Sequence, residues 1–317
     1  MVEAMQARAR GMSPAAPESE ATAAAVTVEP VAIAAPGAEL AGQLYRPRRR
    51  PAAAVVLNGA TGVPQAYYRH FATWLAAERG LACLTYDYRD FGASARGGLR
   101  DSRASMRDWA MLDQPAARAE MRRRLPGVPL WVIGHSLGGM MVPLQTGISD
   151  IRRMIAVASG LVHHRDHPWP YQALARLFWF GHVPLLVRAL GYLPGRAVGF
   201  GADLPAQVYW DWRRWCTSPQ SYLPETGAGL PRPDWGRSGA PVDLIGLADD
   251  PVIPSVSVAR LAPVYRGGAL RRHLLAPGEF GLRSVGHLGA FARANRALWP
   301  AILDPGPGLD APSTATA

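Results

Sequence analysis

The sequence predicts an α/β fold, in which a mostly parallel sheet is covered by helices on both faces and interrupted by an inserted helical cap. Two observations lead to this prediction. Short apolar runs alternate with helix-like segments along two stretches of the chain, and such alternation implies crossovers between parallel strands. Between these stretches, residues 160–235 contain six of the ten tryptophans, many prolines and no clean strand. That break in rhythm predicts a cap inserted into the sheet-forming part.

The chain is long enough for one large core with a subdomain, because it has 317 residues with 49% hydrophobic content. We predict a core in two parts, residues 25–159 and 236–303, on either side of the cap at 160–235. Residues 1–24 are rich in Ala, Pro, Ser and Glu without periodicity and predict a disordered leader. Residues 304–317 predict a disordered tail for the same reason.

Each expected element follows from its local pattern. A Pro-Gly turn between the first two strands indicates an antiparallel hairpin, and Tyr67, Phe71, Trp74 and Leu75 recur at helical spacing before Gly80. The expected strands are at 26–33, 39–45, the run AAAVVLN, 81–86, 130–133, 151–158, 242–247 and 271–275. The expected helices are at 65–79, 105–124, 255–265 and near 288–298.

The stretch LWVIGHSLGG, residues 130–139, contains the motif most informative about chemistry. An apolar strand breaks at Gly134 and a helix is expected after Ser136, which gives the pattern G-x-S-x-G of a nucleophile elbow. A serine in such a turn needs a cramped backbone, and only very small residues fit two positions before and after it. The motif alone is weak evidence, because an ordinary loop serine can match it in a chain rich in glycine.

A serine nucleophile needs a base and an acid that orients the base. The expected strand at 242–247 runs into Asp249 and Asp250, and His287 lies in a glycine-flanked loop after the last strand. The chain order Ser, Asp, His is the one found in α/β-hydrolases. Either aspartate fits the spacing, and we favour Asp250.

Five segments carry a family resemblance: NGATGVPQAYYRHFATWLA, LTYDYRDFGAS, GHSLGG, ADDPVIP and VGHLGAF. Together they resemble the α/β-hydrolase superfamily, and more narrowly the bacterial predicted hydrolases with a serine-aminopeptidase-like domain. The resemblance spans about Ala53 to Trp299. It implies a catalytic triad of Ser136 as nucleophile, His287 as general base and acid, and Asp250 or its neighbour as orienting acid.

The resemblance also implies an oxyanion hole made of two backbone N–H groups, those of Leu137 and Ala60. The loop that carries Ala60 begins Asn58-Gly59, whereas many relatives have His-Gly there. A second departure is Asp90, which stands where relatives usually have glycine. Neither departure removes a backbone donor.

We predict a serine hydrolase of the carboxylesterase or lipase type, acting on a small, largely apolar ester through an acyl-enzyme. An ester is favoured over a peptide because an alkoxide leaves more easily than an amine. Trp210, Trp212 and Trp215 are the candidate substrate-binding residues, although cap aromatics equally form a packed subdomain core. Two alternatives stay open: an acyltransferase on the same triad, and a catalytically silent fold kept for ligand binding.

Composition narrows the partners and the location. The net charge of +10 comes entirely from arginine, a bias spread over the whole chain, so we expect no nucleic-acid partner. Cys83 and Cys216 predict no disulfide. The three histidines at 163, 164 and 167 lack ligand-spaced partners apart from Asp166, so we expect no metal and no cofactor. With no signal-type segment or membrane-length apolar run, we predict a cytoplasmic protein without stable membrane insertion; its oligomeric state is left open.

Overall fold

The computed structural model describes residues 26–309. The predicted leader lies outside the described residues, as does the predicted tail beyond residue 309. Within 26–309, an eight-stranded sheet has the order β1-β2-β4-β3-β5-β6-β9-β10, and a separate two-stranded sheet pairs β7 with β8. The strands are β1 Val26–Ala35, β2 Ala38–Pro47, β3 Ala54–Asn58, β4 Ala82–Tyr86, β5 Leu130–His135, β6 Ile151–Val157, β7 Tyr192–Leu193, β8 Leu204–Pro205, β9 Val242–Leu247 and β10 Leu270–Leu275.

The helices cover both faces of this sheet and form most of the segment between β6 and β9. They are α1 Arg69–Arg79, α2 Met106–Asp108, α3 Gln114–Arg124, α4 Leu137–Met140, α5 Tyr171–Phe180, α6 Val183–Leu190, α7 Ala206–Thr217, α8 Ser255–Leu261, α9 Gly286–Gly289 and α10 Trp299–Leu303. A π-helical turn, Trp109–Asp113, joins α2 to α3.

The predicted fold class is confirmed. β1 and β2 form the expected antiparallel hairpin, and β2 also pairs antiparallel with β4, whereas the pairs from β4 through β10 are all parallel. Between β6 and β9 the chain leaves the sheet and forms α5, α6, α7 and the small β7–β8 pair, in the segment for which the sequence predicts a cap.

Each face of the sheet carries an apolar core. On one face, Phe71 and Trp74 of α1 pack against Phe291 and Trp299. The core on the other face runs without a break into the cap through side chains such as Trp215. The cap is therefore held to the sheet by shared hydrophobic packing.

The last predicted helix is wrong. In place of one helix near 288–298, the structure has α9, a 3₁₀ segment Arg293–Leu298, and α10. Asn295 leaves the helical conformation, and its side-chain amide donates to the Gly289 carbonyl at 2.9 Å. Pro300 lies in the first turn of α10, where proline is tolerated, whereas inside a continuous helix it would clash with the preceding turn.

Candidate active site

Ser136 lies at the turn between β5 and α4 in a strained backbone conformation, with φ 55° and ψ −116°. The flanking glycines are required by space. A Cβ on Gly134 would come within 2.4 Å of the Gly138 backbone, and one on Gly138 within 2.1 Å of the Asn58 carbonyl oxygen. The sequence predicts that only very small residues fit two positions before and after Ser136, and the contacts of Gly134 and Gly138 agree with this prediction.

His287 and Asp250 form a buried pair. His287 Nδ1 lies 2.8 Å from Asp250 Oδ2, and the side-chain exposures are 8% and 0%. The other carboxylate oxygen, Oδ1, accepts the backbone N–H groups of Val252 at 2.7 Å and Ile253 at 3.0 Å. Because the turn after β9 fixes the carboxylate in this way, the imidazole is held with Nε2 on the side away from Asp250.

Asp249 has a different task from its neighbour. Its two carboxylate oxygens accept the N–H groups of Val285 at 2.7 Å and Gly286 at 3.0 Å. These residues immediately precede His287. Asp249 therefore holds the backbone of the loop, and Asp250 contacts the imidazole that the loop carries.

His135 ties this loop to the elbow. Its Nε2 lies 3.0 Å from the His287 carbonyl oxygen, and the two rings are 5.3 Å apart. Among the described residues, the Ser136 hydroxyl makes no hydrogen bond to His287. Such a bond is often long before substrate binds and tightens in the complex.

A buried relay extends from His135 to the loop after β3. A carbonyl oxygen only accepts, so His135 Nε2 carries the proton and Nδ1 is an acceptor. The Tyr68 hydroxyl therefore donates to Nδ1 at 2.9 Å and itself accepts the Ala60 N–H at 2.9 Å. Burial, with nearby His287 adding to it, lowers the pKa of His135 to about 3, so the ring stays neutral at ordinary pH.

The relay engages one of the two backbone amides expected to form the oxyanion hole. The Ala60 amide donates to Tyr68 and so is not free in this structure. The Leu137 and Thr61 amides have no acceptor within residues 26–309. Sequence reasoning missed the part that Tyr68 plays in this relay. The available signal was that a tyrosine directly precedes α1, the helix that follows the loop after β3.

Asn58, which stands where many relatives have histidine, holds the end of β3 through its side chain. Its side-chain nitrogen donates to the Gly138 carbonyl at 3.1 Å and to Gln114 Oε1 at 3.2 Å. Its side-chain oxygen accepts the Tyr86 hydroxyl at 2.7 Å. The end of β3 is thereby bonded to the helix that follows the nucleophile.

The profile of the alpha/beta hydrolase family matches residues 54–301, which is most of the chain. The chain belongs to the alpha/beta hydrolase family. This membership supports hydrolysis as the class of activity. No curated protein matches the chain.

Solved structures with the same fold include several hydrolases. DcsB in complex with its substrate analogue is 13% identical with a TM-score of 0.58, over 88% of this chain and 97% of that one. Rv0554 from Mycobacterium tuberculosis is 19% identical with a TM-score of 0.54, over 87% and 97%. The Pyrococcus furiosus esterase PF2001 is 13% identical with a TM-score of 0.55, over 89% and 92%. At these identities the similarity shows the fold.

The departure at Asp90 has a backbone explanation. Asp90 has φ 55°, in the left-handed region that favours glycine, which accounts for the glycine usual in alpha/beta hydrolases at this place. Aspartate tolerates that region better than most residues. Its carboxylate accepts the Ser102 hydroxyl at 2.6 Å, which holds the loop without glycine.

The three candidate substrate-binding tryptophans of this alpha/beta hydrolase all lie on α7, and their contacts are packing contacts. Trp215 is 1% exposed and donates its indole N–H to Glu225 at 2.9 Å, so its position is that of a core residue. Trp212 packs among cap aromatics, and Trp210 lies under the Arg188 guanidinium. Substrate contact by Trp210 and Trp212 stays a prediction.

Three other cap residues lie near the loops that carry the candidate site. A Cβ on Gly62, in the loop after β3, would lie 2.7 Å from the Phe200 ring. His167 Nδ1 lies 3.0 Å from the Pro251 carbonyl oxygen, next to Asp250. The ring of Tyr171 packs on His167, and burial together with the nearby Asp250 carboxylate raises its pKa. The cap thus contacts the site through Phe200, His167 and Tyr171.

The histidine group of the cap has no arrangement suited to a metal. Asp166 pairs with Arg260 at 2.5 Å, and within residues 26–309 no group of three or more His, Cys, Asp or Glu side chains could hold an ion. Burial lowers the pKa of His167. Cys83 and Cys216 are both free and buried.

Proposed function

We propose that the protein is a serine hydrolase that cleaves a carboxylic ester, or a related acyl bond, of a small and largely apolar substrate. The observation that carries this proposal is the pairing of His287 with Asp250, beside a serine held at a strained elbow. A hydroxyl, an imidazole and a buried carboxylate from three separate strand ends are the parts that acyl transfer requires.

The reaction would proceed through an acyl-enzyme. Ser136 Oγ attacks the ester carbonyl carbon while His287 Nε2 takes the hydroxyl proton, because Nδ1 is engaged by Asp250. The Leu137 amide holds the oxyanion at the N-terminus of α4, and the second donor comes from the loop after β3, where the Thr61 amide is free. His287 then protonates the departing alcohol. Water, deprotonated by His287, attacks the acyl carbonyl and releases the acid and Ser136.

An apolar ester suits the surroundings of this site better than a peptide. The cap side chains nearest to the site include the aromatic rings of Phe200 and Tyr171. Phe200 packs further against Phe178 and Trp212, so the cap surface that faces the loop after β3 is aromatic. Aromatic side chains at this place favour a substrate with an apolar acyl group or an aromatic group. The fold is also shared with a protein described as an esterase.

A fluorophosphonate probe tests the proposal directly, because it labels only an activated serine. We expect labelling of the wild type and no labelling of Ser136→Ala, which lacks the hydroxyl that the probe modifies. Ser159→Ala is the matched control. Ser159 is a buried serine beside Gly139, and its hydroxyl donates to the Val157 carbonyl at 3.3 Å. Folded wild type that is not labelled would instead favour the silent binding module.

Substrate class and acceptor are measured next. A series of p-nitrophenyl esters should show kcat/KM rising with acyl length, and equal turnover of short polar and long acyl chains would contradict an apolar site. The acyltransferase alternative predicts that added alcohol or thiol diverts the acyl group to a new ester or thioester. A hydrolase releases free acid in its presence.

A further inference from the structure

The cap carries an apolar helical hairpin in which only Ala175, Trp179, Val183 and Val187 are fully buried. Within the described residues, the segment Tyr171–Leu190 alone has the length and hydropathy of a membrane span, which corrects the expectation that no apolar run is long enough. Only 22% of the apolar 18-residue window within it is buried. The segment breaks at Gly181 into α5, of ten residues, and α6, of eight. At 1.5 Å per residue these helices are about 15 and 12 Å long, well short of a bilayer core of about 30 Å. In this form the hairpin can lie on a membrane surface but cannot cross it.

Three large apolar side chains of this hairpin are exposed, as is Trp169 two residues before it. Trp169 is 78% exposed, Leu177 53%, Phe180 52% and Leu185 64%. These are four of the eight large hydrophobic residues that the described chain exposes, within 17 residues. Leu177 and Phe180 lie one turn apart on α5 and so share a face. An exposed group of this kind marks an interaction surface.

The charges on the same helices indicate which partner fits. Arg176 on α5 and Arg188 on α6 are exposed, and neither forms an ion pair within residues 26–309; the Arg188 guanidinium also lies over the Trp210 ring. From residue 167 to residue 202 the sequence contains no Asp or Glu. Basic residues interleaved with Trp, Phe and Leu are the composition of helices that bind at the interface of anionic membranes.

We propose that this cap surface docks on an anionic lipid bilayer, with the apolar side chains in the interface and the arginines at the headgroups. The cap surface comprises Trp169, Arg176, Leu177, Phe180, Leu185 and Arg188. A second copy of the chain is a poorer partner, because a two-fold interface would bury the arginines of both copies in a surface whose segment, residues 167–202, has no carboxylate to neutralise them.

Docking would bring the bilayer close to the candidate triad. α5 begins at Tyr171, which lies near Asp250, and His167 two residues before Trp169 bonds the Pro251 carbonyl. An apolar ester dissolved in the membrane could then enter without crossing water. This consequence rests on the proposed function, whereas the docking itself does not.

The test is co-sedimentation of the full chain with vesicles of phosphatidylcholine alone and of phosphatidylcholine with about one-third phosphatidylglycerol. We expect binding to the mixed vesicles that weakens at high salt. Arg176→Gln with Arg188→Gln should weaken it at least tenfold. Leu177→Gln with Leu185→Gln should do the same, and all four side chains are exposed, so the fold is retained.

Arg48→Gln with Arg49→Gln is the matched control, since it removes the same charge from an exposed turn outside the cap. Near-normal binding by this control, with loss in both cap variants, supports docking. Equal weakening by both arginine pairs would show attraction by the net charge of +10 alone and overturn the proposal. Absence of binding by the wild type would overturn it too. A dimer that Leu177→Gln with Leu185→Gln converts to monomer, without vesicle binding, would assign the surface to a second copy instead.

Discussion

Tyr68→Phe removes a single oxygen from the interior and isolates the contribution of the relay between the loop after β3 and the elbow. The hydroxyl accepts the Ala60 N–H and donates to His135 Nδ1, each at 2.9 Å. Phenylalanine retains the ring and its edge contact with Phe291. The substitution therefore leaves two buried polar groups without partners and changes little else.

The expected cost follows from those two groups. A buried donor or acceptor that loses its partner costs about 1–3 kcal/mol, so the loss of both should lower the unfolding free energy by about 2–6 kcal/mol. For a chain of this size that corresponds to a Tm lower by roughly 4–10 °C. Because His135 also holds the His287 carbonyl, the rate of probe labelling at Ser136 should fall about tenfold.

Tyr67→Phe is the matched control for this prediction. Its hydroxyl donates to the Leu288 carbonyl from a half-buried position, so water can replace the lost bond in part. Urea unfolding and Tm give the stabilities, and fluorophosphonate labelling gives the reactivity. A Tyr68→Phe variant that is no less stable than Tyr67→Phe would refute the relay as a stabilising element.

Three further results are expected. Asp250→Asn should lower kcat about 10³–10⁴-fold with the fold intact, because an amide favours the wrong imidazole tautomer; Asp249→Asn should cost about 1–2 kcal/mol of stability and at most about tenfold in kcat. Gly138→Ala should yield little folded protein in a solubility and circular-dichroism comparison, whereas Gly278→Ala, where a Cβ meets nothing within 4 Å, should fold normally. Folding stability should fall as pH drops from 6.5 toward 3, because His135 binds a proton in the unfolded chain but not in the folded one. The unfolding free energy of His135→Asn, measured with urea at several pH values, should depend less steeply on pH than that of the wild type, by up to about 1.4 kcal/mol per pH unit. An unchanged pH dependence would contradict a neutral buried ring.

The features that sequence reasoning predicted well are those set by local sterics. The elbow depends on two glycines within four residues of each other, and both are demanded by contacts that any strand-turn-helix of this kind creates. The alternation of strands and helices is likewise recorded in local periodicity. These features can be predicted because each depends on neighbours in the chain.

The features that sequence reasoning missed or left open depend on distant partners. Asp249 and Asp250 are adjacent, and only the position of the His287 loop decides which carboxylate meets the ring and which meets the backbone. Ala60 is engaged because a tyrosine eight residues later turns its hydroxyl inward. The helical spacing of that segment includes Tyr67 and does not single out Tyr68. The sequence around Trp215 does not indicate whether its side chain packs in a core or lines a binding site.

The polar groups around the candidate nucleophile connect three loops without using the serine hydroxyl itself. Asp249 binds the His287 loop, His135 joins that loop to the elbow, and Tyr68 joins His135 to the loop after β3. Burial lowers the pKa of His135 to about 3 and raises that of Tyr68 well above its usual value. Neither group therefore changes its protonation in the range where His287 would act as a base, and the direction of each hydrogen bond in the relay is fixed. In the proposed mechanism, this framework keeps the three loops in place while a proton moves between Ser136 and His287.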